Sequence, residues 1–126
     1  MKFQPERIDA QSITGYGPGW ISVGAEKIST SIILGARGLR LDWPCAQFED
    51  LTPEHFAQLA QFDAEVVLFG SGSRNRFAPP AWLQPLMAKR VGVETMDTQA
   101  ACRTYNILAG EGRNVVAALL LEPPPL

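Results

Sequence analysis

A single α/β domain spanning residues 1–126 is the architecture this sequence predicts. An N-terminal antiparallel β meander comes first, followed by β-α-β-α-β-α-β units that form a mixed central sheet flanked by helices. Three observations predict it. Residues 1–51 are rich in β-branched side chains and glycine breakers. From residue 52 onward, apolar runs of strand length alternate with stretches of helical periodicity. The chain's 126 residues, 46% hydrophobic and 19% charged, suffice for one domain that buries roughly two-thirds of its unfolded surface without disulfide staples.

In the first half, Gly15-Tyr16-Gly17-Pro18-Gly19 reads as a breaker cluster between Ile8–Ile13 and the alternating run Trp20-Ile21-Ser22-Val23. Gly24-Ala25-Glu26 turns the chain into Lys27–Leu34, where β-branched residues dominate. Arg37–Trp43 alternates again, with Leu39, Leu41 and Trp43 on one face.

Thr52-Pro53-Glu54 is a helix start: a hydroxyl at the N-cap, proline in the first turn, and an acid at the positive end of the dipole. Leu51 and Phe56 have the spacing of a hydrophobic staple, and the helix runs to about Phe62. Glu65-Val66-Val67-Leu68-Phe69, closed by Gly70, is a central strand covered on both faces. Pro80–Arg90 is helical, and Pro85 requires a kink or a short first turn. Val91–Met96 is a strand. Asp97 or Thr98 caps a helix that continues to about Ala109 and stops at Gly110 and Gly112. Asn114–Leu121 is the last strand, and this order predicts parallel pairing through crossovers.

A net charge of −2 and a pI near 5.3 argue against a nucleic-acid partner. The longest apolar run, Val115–Leu121, is far shorter than the ~20 residues of a transmembrane helix. No secretion or organelle signal is visible at the N-terminus, so a cytoplasmic location is expected. Cys45 and Cys102 form no C-x-x-C pair, and one histidine supplies no zinc cluster. Neither a metal nor a cofactor is expected.

Gly70-Ser71-Gly72-Ser73-Arg74-Asn75-Arg76 follows a strand and precedes a helix, the position of phosphate-cradling loops. Glu94, 24 residues after Gly70, occupies the place of a ribose-binding acid. Asn75 stands where a third glycine belongs, however, and the loop runs on to Pro79-Pro80 before a helix begins. A tight turn with two arginines, Arg74 and Arg76, available to an anion or acidic partner fits better. On the helix that Asp97 opens, Gln99, Arg103 and Asn106 share the face opposite Ala101, Tyr105 and Leu108. That face is a solvated outer face, or pairs Arg103 with a nearby acid such as Glu94 or Glu111, or is a recognition surface. Cys102 lies beside the apolar stripe with no base in view, and His55 has no serine or cysteine elbow to serve. No catalytic set is complete.

The run Glu94-Thr95-Met96-Asp97-Thr98-Gln99-Ala100-Ala101-Cys102-Arg103-Thr104-Tyr105-Asn106-Ile107-Leu108 resembles a specific family, together with Glu111-Gly112-Arg113 and Val116–Leu120. It is the family that contains mitochondrial respiratory complex I assembly factor 3 and many uncharacterised bacterial and archaeal proteins. Tyr16-Gly17, Trp20–Gly24 and Leu68–Gly72 extend the similarity over nearly the whole chain. The resemblance implies a single α/β domain with a mixed sheet and a non-enzymatic role. It also implies protein partners, complex I subunits or another assembly factor, for what reads as a bacterial member.

Two functional expectations follow. The first is an interaction protein whose candidate surface comprises Gly70, Ser71, Gly72, Arg74, Arg76, Glu94, Thr98, Arg103 and Asn106. The alternative is a domain binding a small ligand (an anion or a nucleotide), or an unrecognised enzyme, with its pocket at the C-terminal edge of the parallel strands.

Overall fold

Val66–Gly70 and Val115–Leu119 are buried at every position, and the molecule is organised around these two strands. The computed structural model describes residues 12–124. In chain order its strands are β1 (Ile13–Gly17), β2 (Trp20–Val23), β3 (Glu26–Ile28), β4 (Ile32–Gly35), β5 (Arg40–Asp42), β6 (Val66–Gly70), β7 (Gly92–Met96) and β8 (Val115–Leu119). Its α-helices are α1 (Pro53–Leu59), α2 (Gln84–Ala88) and α3 (Thr98–Gly110).

The strands form two sheets. β1-β2-β3 is an antiparallel meander, and the larger sheet has the order β5-β4-β8-β6-β7. β6 pairs in parallel with both β7 and β8, whereas β4 is antiparallel to β8 and to β5. Alternation along β6 sends Val67 and Phe69 to one face and Leu68 to the other. On the first face they meet Trp43, Phe56, Leu59 and Leu86, which brings α1 and α2 onto the sheet. Phe56 and Trp43 each meet Phe69 edge-on, with centroids 5.1 and 6.0 Å away. Such ring pairs contribute about 0.5–1.5 kcal/mol beyond their buried area. On the second face Leu68, Ala117 and Leu119 pack against Ala101 and Tyr105 of α3 and against Ile21 and Val23 of the meander. The layers are therefore helices, large sheet, then α3 with the small sheet.

Several boundaries differ from the sequence reading. The glycine cluster does not break the first strand, since β1 runs through Gly15 to Gly17 and the turn is at Pro18-Gly19. The reason lies across the hairpin. The Trp20 ring covers Gly17 so closely that a Cβ there would overlap it, and it also lies against Gly15. Of the expected Ile8–Ile13 segment, residues 8–11 lie outside the described residues. Lys27–Leu34 is two strands rather than one: β3 ends at Ile28, and β4 leaves the meander to join the large sheet. Ser31, between them, is buried, and its hydroxyl accepts the Leu121 N–H at 2.9 Å.

Leu39, Leu41 and Trp43 do not share one buried face, because Leu41 is exposed on edge strand β5 while Trp43 is buried. Among the strands of the expected wound series, only β6, β7 and β8 pair in parallel. β5 runs in the same direction, but β4 stands between it and β8. The helix from Thr52 tightens to 3-10 geometry over Ala60–Phe62. Its start is a capping box with histidine in the third position: the Thr52 N–H donates to His55 Nδ1 at 3.1 Å. Pro85 falls in the first turn of α2, preceded by a 3-10 turn at Pro80–Leu83, so its missing N–H removes no helical bond.

Candidate functional site

The C-terminal ends of β6 and β7 lie side by side, because Gly70 stands opposite Met96 in a parallel register. Beyond Gly70 the loop folds back on itself through Ser71, which is fully buried. The Ser71 hydroxyl donates to Arg74 O at 2.8 Å and accepts the Arg76 N–H at 2.9 Å. Its N–H donates to Met96 O at 2.9 Å. The next contact joins this loop to α3. The Gly72 N–H donates to Thr98 Oγ1 at 2.9 Å, and the Thr98 N–H returns a bond to Gly72 O at 2.8 Å. Thr98 Oγ1 in turn donates to Leu120 O at 2.8 Å, so β6, α3 and the segment after β8 meet at one buried hydroxyl. Gly70 has Thr98 and Leu119 at 3.1 Å from where a Cβ would stand, which explains a glycine at this crossing.

Arg76 locks the other side of the loop. Its guanidinium donates to Ser71 O at 2.7 Å and to Glu122 Oε1 at 2.6 Å, and it lies 4.5 Å over the Phe48 ring. The pair is largely buried, with 17% and 19% of the two side chains exposed. Glu122 Oε2 accepts the Phe48 N–H at 2.9 Å, which leaves each carboxylate oxygen with a partner. Gly72 adopts φ +100°, and a Cβ there would overlap both Arg76 and Glu122.

Next to this knot lies a cleft of about 430 Å³. The tip of the β1–β2 hairpin forms one wall, Gly72, Ser73 and the start of α3 the second, and the segment 120–124 the third. Asp97 lines it as the N-cap of α3, its carboxylate accepting the Ala100 N–H at 2.9 Å.

The remaining candidates sit elsewhere. Arg74 is exposed on the loop, and Glu94 is exposed on β7, where it makes no ion pair among the described residues. Arg103 faces neither Glu94 nor Glu111. It donates to the Tyr16 hydroxyl at 3.0 Å, with its guanidinium 5.9 Å from that ring. Asn106 acts as a neighbouring strand would: its Nδ2 donates to Ile13 O at 2.7 Å and its Oδ1 accepts the Ile13 N–H at 3.0 Å. The polar face of α3 is therefore the seat of β1. Asn106→Ala should lower stability by about 1–3 kcal/mol, because both Ile13 backbone groups lose their partner. A urea titration, with hydrogen exchange faster at Ile13 than in β6, checks this.

Groups that could carry chemistry are committed elsewhere. Burial pushes the Cys102 thiol up to about 12, and burial likewise raises Cys45, whose Sγ lies 3.0 Å from Gln47 O. His55 Nε2 is 2.8 Å from Pro44 O, while Nδ1 accepts from Thr52. An Nε2–H imidazole satisfies both contacts. Among the described residues no group of three or more His, Cys, Asp or Glu could hold a metal ion. Both cysteines should resist an aromatic disulfide reagent at about pH 8 in the folded protein and react together once denaturant unfolds it. Rapid reaction of one thiol in native buffer would contradict this assignment.

The sequence reading did not include Glu122, Phe48, Tyr16 or Asp97 in the candidate surface. Glu122 had a signal, as an acid directly after a wholly apolar strand. Tyr16 stood out only within the family resemblance, and no local pattern pairs it with Arg103 across 87 residues of chain.

With this geometry in place, the kinship of the chain can be stated. The model of a family described as protein of unknown function (DUF498/DUF598) matches residues 13–120. The chain belongs to that family. A crystal structure of a Bordetella parapertussis protein is 44% identical and superposes with a TM-score of 0.82, covering 88% of this chain and 95% of that one. A Mth938-like domain from Bordetella pertussis is 35% identical with a TM-score of 0.80, over 100% of this chain and 94% of that one. Among curated relatives, NADH dehydrogenase (ubiquinone) 1 alpha subcomplex assembly factor 3 of Bos taurus is 34% identical over 87 residues, 68% of this chain and 46% of that protein. The chain thus spans about half the length of this curated relative. No helix among the described residues is long and apolar enough to cross a membrane.

Proposed function

We propose that this chain is a non-enzymatic interaction protein of the assembly-factor type, working from the bacterial cytoplasm, and that a protein partner docks at the cleft beside α3. The observation that carries the reading is how completely the reactive groups at this edge are engaged. Ser71, Arg76, Thr98 and Glu122 all bond within the chain, so they hold a shape and offer no nucleophile or base. The docking surface takes in Gly72 and Thr98 of the cleft lining, with buried Gly70 beneath them and exposed Arg74 on the loop. Arg103 flanks it through its bond to Tyr16 of the cleft wall, and Asn106 holds β1 in place beside it. Kinship with proteins named as respiratory complex I assembly factors supports partners of that class.

Ser73 lines the cleft and is exposed, so Ser73→Trp fills the space without disturbing a buried bond. The tagged protein should recover complex I subunits or a second assembly factor from its host, and Ser73→Trp should lose them with an unchanged melting temperature. Equal recovery by both proteins would refute the cleft as the docking site.

The cleft volume also falls in the ~300–1,000 Å³ range of small-molecule sites, which favours a ligand-binding domain as the second reading. Thermal shifts with nucleotides, phosphate and carboxylates separate the two. Stabilisation abolished by Ser73→Trp supports a ligand, and no shift across the set supports the partner.

A further inference from the structure

β7 ends the large sheet, and among the described residues no strand pairs with its outer side. The phase of its ladder fixes which backbone groups face outward. The Gly92 N–H donates to Glu65 O at 3.2 Å and the Ser71 N–H to Met96 O at 2.9 Å, with Leu68 opposite Glu94 between them. In a parallel pair, alternate residues turn both backbone groups toward the neighbour. Gly92, Glu94 and Met96 therefore bond to β6. The N–H and C=O groups of Val93 and Thr95 point away from the sheet, and among the described residues no hydrogen bond engages them. The pairing is regular over all five residues, and β7 contains no proline, so two common protections of an edge strand are missing.

The side chains beside this edge define what would fit it. Glu94 is exposed and shares the face of Leu68, the face on which α3 packs. Thr104 Oγ1 reaches Met96 Sδ at 3.4 Å and fixes the alignment of α3 with β7. Met96, two residues on from Glu94, shares that face and is half-buried against the cluster that includes α3. The edge thus combines two outward donor–acceptor pairs with, on one face, half-buried Met96 and the exposed Glu94 carboxylate, which makes no ion pair among the described residues.

We propose that β7 accepts an extended segment of a partner protein as a sixth strand. A lysine or arginine of that segment stands over Glu94, and an apolar side chain two places along lies against Met96. Charge complementarity selects this occupant. A second copy pairing about Glu94 would set two carboxylates side by side on one face, a repulsive cross-strand pair, whereas a basic strand makes the attractive one. Backbone bonds supply affinity and the alternating side chains supply choice, as in other strand-addition complexes. This surface is separate from the cleft, so the two proposals can fail independently.

The test is a titration of the isotope-labelled full chain with short blocked peptides, followed by amide NMR and hydrogen exchange. One peptide has lysine at its centre, valine two places to either side and threonine between; a second has glutamate in place of the lysine. The lysine peptide at millimolar concentration should shift the Val93 and Thr95 amides and slow their exchange about fivefold or more. The glutamate peptide should bind about three- to tenfold more weakly. Glu94→Lys should reverse that preference. Thr95→Pro, which removes an outward N–H and no internal bond, should abolish binding at an unchanged melting temperature. No change at Val93 and Thr95 with the lysine peptide overturns the proposal, as does a preference that Glu94→Lys leaves intact. Protection of the same amides by raised protein concentration alone, without peptide, would identify a second copy as the occupant and also overturn it.

Discussion

Leu119→Asp is expected to yield no folded protein. Leu119 has no exposed surface and sits at the end of β8, facing Gly70 of β6 and Ile32 of β4. Its neighbours in the cluster are Leu34, Leu68, Ala101 and Tyr105, which offer no cation to a new carboxylate. An unpaired buried charge costs several kcal/mol, and the lost leucine packing adds about 2–5 kcal/mol. The sum reaches the whole stability of a domain of this size, about 5–15 kcal/mol. Circular dichroism of the purified variant should show no cooperative thermal transition. Val67→Asp should behave alike, since Val67 is equally enclosed on the opposite face of β6. A soluble variant with a cooperative melt would mean that these strands are not interior.

Gly72→Ala is the second large effect, and it acts through the loop instead of the core. Its φ of +100° disfavours any L side chain, and the added Cβ would meet the Arg76 guanidinium and the Glu122 carboxylate. Neither can retreat freely, because Arg76 also holds Ser71 O and Glu122 also holds the Phe48 N–H. Backbone strain of about 1–3 kcal/mol, plus a partly broken ion pair, should lower the melting temperature by roughly 10 °C. Glu122→Ala in the Gly72→Ala background should recover part of the loss by opening space, so the two changes will not add. A Gly72→Ala protein that melts with the wild type would show that the loop does not hold this conformation in solution.

Both effects bear on what could be read before the structure. Apolar runs and caps were legible: β6, β8 and α3 stand within two residues of their expected ends, because burial on both faces and an Asp97 cap are local signals. The route of β4 was not. Ile32–Gly35 reads as a continuation of β3, and only the long-range pairing with β8 draws it into the other sheet. Gly15 and Gly17 read as breakers because the residue that uses their bareness, Trp20, lies across a turn.

The candidate site divides in the same way. Its loop and helix cap were legible as neighbours, from a parallel register that brings Gly70 and Thr98 together. The partners of Arg76, Arg103 and Asn106 come from segments 46, 87 and 93 residues away, and no local pattern announces them.

Respiratory activity tests the docking account most directly. NADH:ubiquinone oxidoreductase activity should be measured in membranes from a deletion strain complemented with wild-type protein or with Ser73→Trp. The account predicts that deletion lowers the activity, that the wild-type chain restores it, and that a stably folded Ser73→Trp does not. Activity unchanged by deletion, or restored equally by the filled-cleft variant, would contradict it.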